Sequence, residues 1–178
     1  VLRLAAKHRF DAIIYGGAEA WMVATQLAET GIPVILDPLS NEPKNFDQLG
    51  ARLDNAALLH DAGVTIAFSA DNDSPHNARK LRQAAGIAVA YGLSFDAGLA
   101  ALTINPARIF SLPAGHGSIA ANAPANLVIW NGDPLEVTSI ADAVILDGEN
   151  IPLVSRQTLL RDRYLPQNPD MPRAYIKK

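Results

Sequence analysis

Apolar and polar positions along the first 70 residues predict three strands separated by helices. Continuous apolar runs lie at residues 11–15, 32–36 and 64–70. Runs of this length that stop at Gly or Asp are typical of buried strands. Between them, apolar residues recur at helix spacing over 19–30 and 48–62, which predicts two amphipathic helices. Short connections and continuously apolar strands indicate an α/β fold with a parallel sheet.

The spacing of apolar residues changes further along the chain. Helix spacing continues over residues 77–90 and 94–103, with Ser94 as an N-cap, and over a short helix that opens at Asn105-Pro106. From Gly115 the period falls to about two, which is the strand period. We therefore expect strands at residues 118–119, 127–130 and 143–146, turns at Asn131-Gly132 and Asp147-Gly148, a helix over 155–164 capped by Ser155, and an extended tail over 165–178.

Composition narrows the classes of partner. The chain has 178 residues, a net charge of -3 and no basic stripe, so we expect no nucleic-acid partner. It has no cysteine, which excludes disulfides and thiolate metal sites. No apolar run reaches the roughly 20 residues that span a bilayer, so we expect no membrane partner. The chain starts without Met, inside an amphipathic pattern. We expect a piece of a longer protein, whose compartment, cytoplasmic or secreted, stays open.

The strongest candidate for a catalytic role is Asp71, which directly follows the third predicted strand. Side chains alternate along a strand, so Asp71 shares a side with the small or polar residues Thr65, Ala67 and Ser69, while Val64, Ile66 and Phe68 form the bulky side. A carboxylate at a strand exit can bind a divalent cation or take a proton from water. Asp71 and Asp73 can equally cap the helix that starts near Asn77.

Of the four histidines, one is a candidate for a functional site. His76 lies five residues after Asp71, in the same strand-end loop, and is a candidate for substrate binding. His8 and His60 fall in polar helix ends, and His116 falls between two glycines in a turn. No HxH or HExxH spacing occurs. Gly16-Gly17 lacks the spacing of a phosphate-binding loop and is interpreted as a turn at a strand end.

Four segments in combination resemble one known family. They are AGVTIAFSAD (62–71), GLSFDAGLAALTINPARIF (92–110), GHGSIAANAPANLVIWNGDP (115–134) and ADAVILDGENI (141–151). Their order resembles the C-terminal part of the amidohydrolase superfamily, in its imidazolonepropionase-like branch.

The resemblance implies a metal-bearing (β/α)8 barrel, or TIM barrel, with a small β-sandwich built from both chain ends. Residues 1–112 would supply barrel strands six to eight with their helices, 113–154 a β-sandwich segment, and 155–178 a C-terminal helix and tail. Family members hydrolyse amide or related C–N bonds with divalent metal, most often zinc. Asp71 matches the aspartate that ends the last barrel strand, where it binds metal and acts as general base. Where many members have a histidine after strand six, this chain has Gly16.

Three hypotheses follow for function. In the first, the chain is the C-terminal portion of a metal-dependent amidohydrolase for a small-molecule substrate, inactive without its N-terminal remainder. In the second, it is a non-catalytic scaffold or binding relative, which the missing histidine favours. In the third, it is a free-standing α/β binding domain. Loops 37–47 and 72–77 are the candidate substrate contacts, and open sheet edges also allow a homo-oligomer.

Overall fold

The computed structural model describes residues 1–40, 42–43, 45–69 and 75–165, and for residues 75 and 76 it describes the backbone only. The chain divides into two compact units. The first contains Val1–Pro124 and Gly132–Ile140, and the second contains Ala125–Asn131 and the chain from Ala141 onward. Within the described ranges, no helix has both the length and the apolar character needed to cross a membrane.

The first unit alternates helices with short parallel strands. Its three strands lie in the order β1-β2-β3, and both neighbouring pairs run parallel, which confirms the predicted α/β fold. Short 3-10 helices occur at Ala20–Val23, Pro38–Ser40, Phe46–Gln48 and Pro75–Lys80. The regular elements are α1 (Leu2–His8), β1 (Ile14–Gly16), α2 (Ala24–Thr30), β2 (Val34–Leu36), α3 (Asn55–Asp61), β3 (Ile66–Phe68), α4 (Leu81–Ala90), α5 (Phe95–Leu102) and α6 (Ile104–Ile109).

The strands are three residues long, shorter than the apolar runs that predict them. Pro33 explains the late start of β2, because proline has no N–H to donate to a neighbouring strand. Its carbonyl still accepts the N–H of Ile14, at 3.0 Å, where β1 begins. Likewise, the carbonyl of Thr65, just before β3, accepts the N–H of Val34 at 3.0 Å. Hydrogen bonding between neighbouring strands therefore starts one residue before β2 and β3.

The helix over 48–62 is the largest difference from the predicted elements. Only Asn55–Asp61 is α-helical, and Phe46–Gln48 forms a separate 3-10 turn. Gly50 lies between them, and its N–H and C=O bond to side chains of Glu19 and Trp21 rather than to a helix ladder. The predicted end of the preceding helix is confirmed: Gly31 has φ of 67° and donates to Ala28 and Leu27.

The core of the first unit lies on one side of the parallel sheet. Val64, Ile66 and Phe68 are all buried there, as the alternation along the third strand predicts. Burying a side chain of this size stabilises the fold by roughly 1.5–3 kcal/mol. The helices contribute further buried residues to this core, namely Leu27, Leu59, Ala85, Ala88, Ala97 and Ala101.

The other side of the sheet carries Tyr15, Ile35 and Ala67, which are paired in register across the three strands. Ile35 and Ala67 are buried, but they lie outside the main core cluster. Tyr15 is 65% exposed. The two sides of the sheet therefore differ. Helices cover one side, whereas on the other side the edge strand β1 leaves the Tyr15 ring exposed to solvent.

Two predicted helix starts are confirmed at the side-chain level. The Ser94 hydroxyl accepts the N–H of Ala97 at 3.2 Å, so Ser94 is the N-cap of α5. Pro106 lies in the first turn of α6, where its missing N–H costs no helix bond. Its neighbour Asn105 donates its side-chain amide to the carbonyl of Ile66 at 2.9 Å, which ties α6 to β3.

The second unit is an antiparallel sheet followed by a helix. Strands β4 (Leu127–Trp130), β5 (Ala141–Leu146) and β6 (Glu149–Ile151) lie in that order, and α7 spans Arg156–Tyr164. Asp147 and Gly148 both have positive φ, of 50° and 84°, and form the tight turn predicted there. Ser155 caps α7 as predicted, with a capping box. The Asn131-Gly132 signal ends β4, but a longer connection through residues 132–140 follows.

The strand predicted at residues 118–119 was wrong. Ser118 lies in a bend and Ile119 in irregular chain, and neither has a ladder partner. The preceding glycines explain this, because Gly115 and Gly117 have φ of 93° and 72° and turn the chain. A Cβ on Gly117 would lie 2.4 Å from the carbonyl oxygen of Thr103, so the turn packs directly on the end of α5.

Candidate functional site

Parallel strands bring their carboxyl ends to one edge of a sheet, and this edge is the candidate site. Gly16 ends β1 and Gly17 follows it, Asp37 follows β2, and Ser69 follows β3. The predicted metal ligand and general base, Asp71, lies outside the described residues. His76 falls in the 3-10 turn Pro75–Lys80, and its side chain also lies outside them. Both assignments therefore stay predictions.

Ser69 shows how the chain leaves β3. Its N–H donates to the carbonyl of Leu36 at 2.7 Å, and its hydroxyl donates to the same oxygen at 3.3 Å. Pairing with β2 therefore continues one residue beyond the strand. Ser69 is the last described residue before the segment that contains Asp71.

Asp37 is engaged in its own turn. One carboxylate oxygen accepts the N–H of Leu39 at 3.1 Å, and the other accepts the hydroxyl of Ser40 at 2.7 Å. These bonds cap the 3-10 turn Pro38–Ser40. The carboxylate therefore shapes the start of the loop over 37–47, in which Asn41 and Lys44 lie outside the described residues.

The exit of β1 offers backbone rather than a ligating side chain. Gly16 and Gly17 have φ of 92° and 54°, a pair of left-handed conformations that favours glycine. A Cβ on Gly17 would lie 3.0 Å from Val34 Cγ1 and 3.2 Å from Ala20 Cβ. The interpretation of these glycines as a turn at a strand end is confirmed.

Asn55 joins the exit of β1 to the start of α3. Its side chain is fully buried, and its amide nitrogen donates to the carbonyls of Gly17 at 3.0 Å and Ala18 at 3.3 Å. Its Oδ1 accepts the N–H of Trp21 at 3.1 Å. Asn55 thus caps the 3-10 turn Ala20–Val23 from a different helix, since the local N-cap residue, Glu19, makes no capping bond.

Gly50 makes a second connection between the same two segments. Its N–H donates to Glu19 Oε1 at 2.6 Å, and its carbonyl accepts the indole N–H of Trp21 at 2.8 Å. Four residues, Glu19, Trp21, Gly50 and Asn55, therefore form one hydrogen-bonded set that we call the exit-loop network. One Glu19 oxygen is already bonded within it.

An exposed ion pair borders this network. The Arg52 guanidinium lies 4.8 Å from the centroid of the Trp21 ring and bonds to the Asp54 carboxylate, with Nε to Oδ1 at 2.6 Å. The hydrogen bond from Arg52 lowers the pKa of Asp54, and the same bond raises the pKa of Arg52. Both side chains are over a third exposed, so the pair contributes little to stability.

The described residues do not supply a complete metal site. Over 1–40, 42–43, 45–69 and 75–165, no three His, Asp or Glu side chains are grouped closely enough to hold an ion. Among the other histidines, His8 and His60 are exposed helix-end residues, and His116 Nδ1 lies 2.8 Å from the Pro113 carbonyl. Any metal bound at this edge would need ligands beyond the described residues.

Sequence reasoning missed Asn55. It placed this residue inside a long helix, whereas the residue starts α3 and reaches across to another segment. A polar amide directly before the apolar run AALL was the available signal, since a buried amide must find partners.

Comparison with known proteins identifies the relatives of this fold. The sequence profile of the Amidohydrolase family matches residues 10–156. The crystal structure of an amidohydrolase from Thermotoga maritima MSB8 is similar, with a TM-score of 0.76 and 31% identity over 84% of this chain. N-isopropylammelide isopropylaminohydrolase from Burkholderia multivorans ATCC 17616 shares the fold, with a TM-score of 0.61 and 16% identity.

The match covers part of each relative. This chain spans 39% of the Thermotoga structure and 42% of the Burkholderia structure. Amidohydrolase tasK of Hapsidospora irregularis is 34% identical over 91 residues, which are 51% of this chain and 9% of that protein. Because the family profile spans most of the sequence, from residue 10 to residue 156, this chain belongs to the amidohydrolase family.

Proposed function

We propose that this chain is the C-terminal portion of a metal-dependent hydrolase that cleaves C–N bonds, in amides or cyclic amides, of a small molecule. Residues 1–112 would supply the last three βα units of a (β/α)8 barrel, 113–154 a β-sandwich segment, and 155–178 a C-terminal helix and tail. The observation that carries the proposal is the parallel β1-β2-β3 sheet within the family match. Its carboxyl edge is where barrel enzymes bind substrates.

The open sheet supports the barrel part of the proposal. Among the described residues, β1 and β3 each pair with β2 only, so each leaves an edge of backbone donors and acceptors. On the side away from the helices, Tyr15 is 65% exposed. Further strands from the N-terminal remainder of the protein would pair with both edges and cover that side.

The second unit supports the β-sandwich part. None of its described residues is fully buried, and Val128 and Ile129, adjacent in β4, are 45% and 53% exposed. Adjacent strand residues point to opposite faces, so both faces of this sheet carry exposed apolar groups. A second sheet packed against one face would remove the apolar groups of that face from water.

Asp71 is the residue we assign to the reaction. A carboxylate at the exit of β3 would hold the attacking water by a hydrogen bond, accept its proton and pass it to the leaving nitrogen. His76 would bind substrate from the same loop. A divalent ion, with zinc as our candidate, would acidify the water. Catalytic zinc generally has three protein ligands, so the remaining ligands would come from the N-terminal remainder, and this chain alone should be inactive.

Replacing Asp71 tests the proposal. In the full protein, Asp71→Asn should lower kcat by about 10²–10⁴-fold, the usual contribution of a general acid or base. Asp142→Asn is the matched control, because Asp142 is an exposed strand residue of the second unit. Steady-state kinetics on a panel of amides and cyclic amides measures both variants, and unchanged turnover in Asp71→Asn would reject the role.

The second candidate function is a non-catalytic scaffold. Gly16 favours it, since this position at the end of β1 has no side chain to bind a metal or a substrate. Elemental analysis of the full protein separates the two functions. About one or two metal ions per chain supports the hydrolase, whereas metal at background level after purification without chelators, together with no turnover on the panel, supports the scaffold.

A further inference from the structure

The exit-loop network joins two segments that are distant in sequence. Asn55 bonds to residues 34 to 38 positions away, and Gly50 bonds to residues 29 and 31 positions away. One segment follows β1, and the other runs from Gly50 to Asn55, the first residue of α3. We propose that Asn55 is a positioning residue that holds both segments in one arrangement at the carboxyl edge of the sheet, and that turnover requires this arrangement; the second part rests on the proposed function.

The chemistry of the amide explains why this residue type is needed. Both amide hydrogens are donated, to Gly17 O and Ala18 O, and Oδ1 accepts from Trp21 N. Only a side chain that donates twice and accepts at the same time can satisfy these three groups. The side chain is buried, and buried polar side chains generally need hydrogen-bond partners within the protein.

The geometry makes the exit of β1 dependent on α3. Gly16 and Gly17 have left-handed conformations that any L side chain would strain, and the 3-10 turn that follows has no cap of its own. Besides its own backbone hydrogen bonds, this turn is held by Asn55 on one side and by the Glu19–Gly50 bond on the other. A change at Asn55 should therefore move the residues at this edge.

Asn55→Asp is the decisive variant because it changes the hydrogen-bonding pattern without changing size. At neutral pH the introduced carboxylate can still accept the N–H of Trp21. It has no hydrogen to donate, however, to the two carbonyl oxygens that it faces. Burial and these oxygens raise the pKa of that carboxyl group above the usual value of about 3.9. Below the raised pKa the neutral acid donates to one carbonyl, so the defect should lessen as the pH falls.

Trp21 provides a local signal, since its indole N–H donates to Gly50. Its cross-peak in the nitrogen–proton NMR spectrum of the full protein is assigned by its loss in Trp21→Phe. In Asn55→Asp we expect this peak to leave its wild-type position at pH 7 and to return toward it on acidification. Spectra of the wild type at each pH correct for any shift of the Trp21 peak that arises from the charged side chains of these segments, Glu19, Arg52 and Asp54.

Turnover is measured on the same samples. We expect kcat of Asn55→Asp to be about 10²-fold lower at pH 7, as for a misplaced catalytic edge, with recovery relative to wild type at acidic pH. Asn126→Asp is the matched control: the Asn126 side chain accepts from Asp147 N–H at 2.8 Å and is exposed, so a carboxylate can replace it. The control variant should change neither the Trp21 peak nor kcat.

Several results would overturn the proposal. A Trp21 peak that stays in place at pH 7, or that moves without recovering in acid, rejects the role of the amide. A displaced peak with wild-type kcat rejects the need for this arrangement in turnover. If Asn55→Asp does not fold, Glu19→Ala removes the other connection from a partly exposed position and should displace the same peak without acid recovery. An inactive wild type rejects the proposed function, while the NMR result still decides the role of Asn55.

Discussion

Arg82 organises a loop by donating to its backbone. Its guanidinium bonds to the carbonyl oxygens of Pro134 at 3.2 Å, Val137 at 3.3 Å and Ser139 at 3.1 Å, and also to that of Glu136. These carbonyls have no neighbouring strand here, because residues 132–140 connect β4 to β5 without regular structure. A planar group with five donors can satisfy several oxygens at once.

Replacing Arg82 should therefore cost more than the loss of one surface charge. We expect Arg82→Lys to lower the free energy of unfolding by about 1.5–3 kcal/mol, because hydrogen bonds to charged groups have that net value and lysine cannot match the fork. Urea unfolding measures the change. Arg79→Lys, an exposed position on the preceding turn, is the control. An equal effect in both variants would contradict the special role of Arg82.

At the scale of elements, two glycines allow the same loop to approach α4 and α5 closely. Leu135 is buried and lies over Gly86 of α4 and Gly98 of α5. A Cβ on Gly86 would lie 2.6 Å from the backbone oxygen of Leu135, whereas a Cβ on Gly98 would lie 2.9 Å from the side chain of Val89. The neighbour of Gly86 is backbone, which cannot rotate away.

The two glycines should respond differently to alanine. Alanine inside a helix is favoured over glycine by about 1 kcal/mol, but overpacking costs about 1–3 kcal/mol. We expect Gly86→Ala to be destabilising, because Leu135 must move with its loop. In Gly98→Ala the Val89 side chain can rotate, so the net change should be small. Thermal unfolding of both variants measures the difference, and a stabilised Gly86→Ala would contradict the close packing.

At the scale of the whole molecule, family membership and the open sheet edges lead us to expect that the chain associates with other chains. The proposed incomplete barrel would expose backbone donors and acceptors along β1 and β3, and such edges pair with other chains. A free-standing binding domain would instead have edges adapted to water.

Light scattering distinguishes these cases. We expect the 178-residue chain, expressed alone, to form dimers or larger species, and to become a one-to-one complex when its N-terminal remainder is added. A monodisperse species with the mass of a single chain, unchanged by that addition, would favour the free-standing domain and count against the barrel.

Most elements could be read from the printed residues because their signals are local. Apolar runs identify the three strands, Gly31 and Ser94 mark helix ends, and Asp147-Gly148 marks a tight turn, since each acts through its own backbone conformation or its nearest neighbours. The family was recognisable for the same reason: its motifs are contiguous segments. The role of Asp71 stays a prediction of this kind.

What could not be read locally depends on contacts between distant residues. Helix spacing continues through Gly50, but its backbone bonds to Glu19 and Trp21, so α3 begins only at Asn55. Likewise, periodicity predicts a strand at residues 118–119, but Gly117 packs against the carbonyl of Thr103 and the chain turns there. At Gly50, side chains from another segment occupy the backbone hydrogen-bonding groups that a helix would need. At Gly117, close packing on another element and a positive φ turn the chain. In both places a contact distant in sequence overrides the local preference.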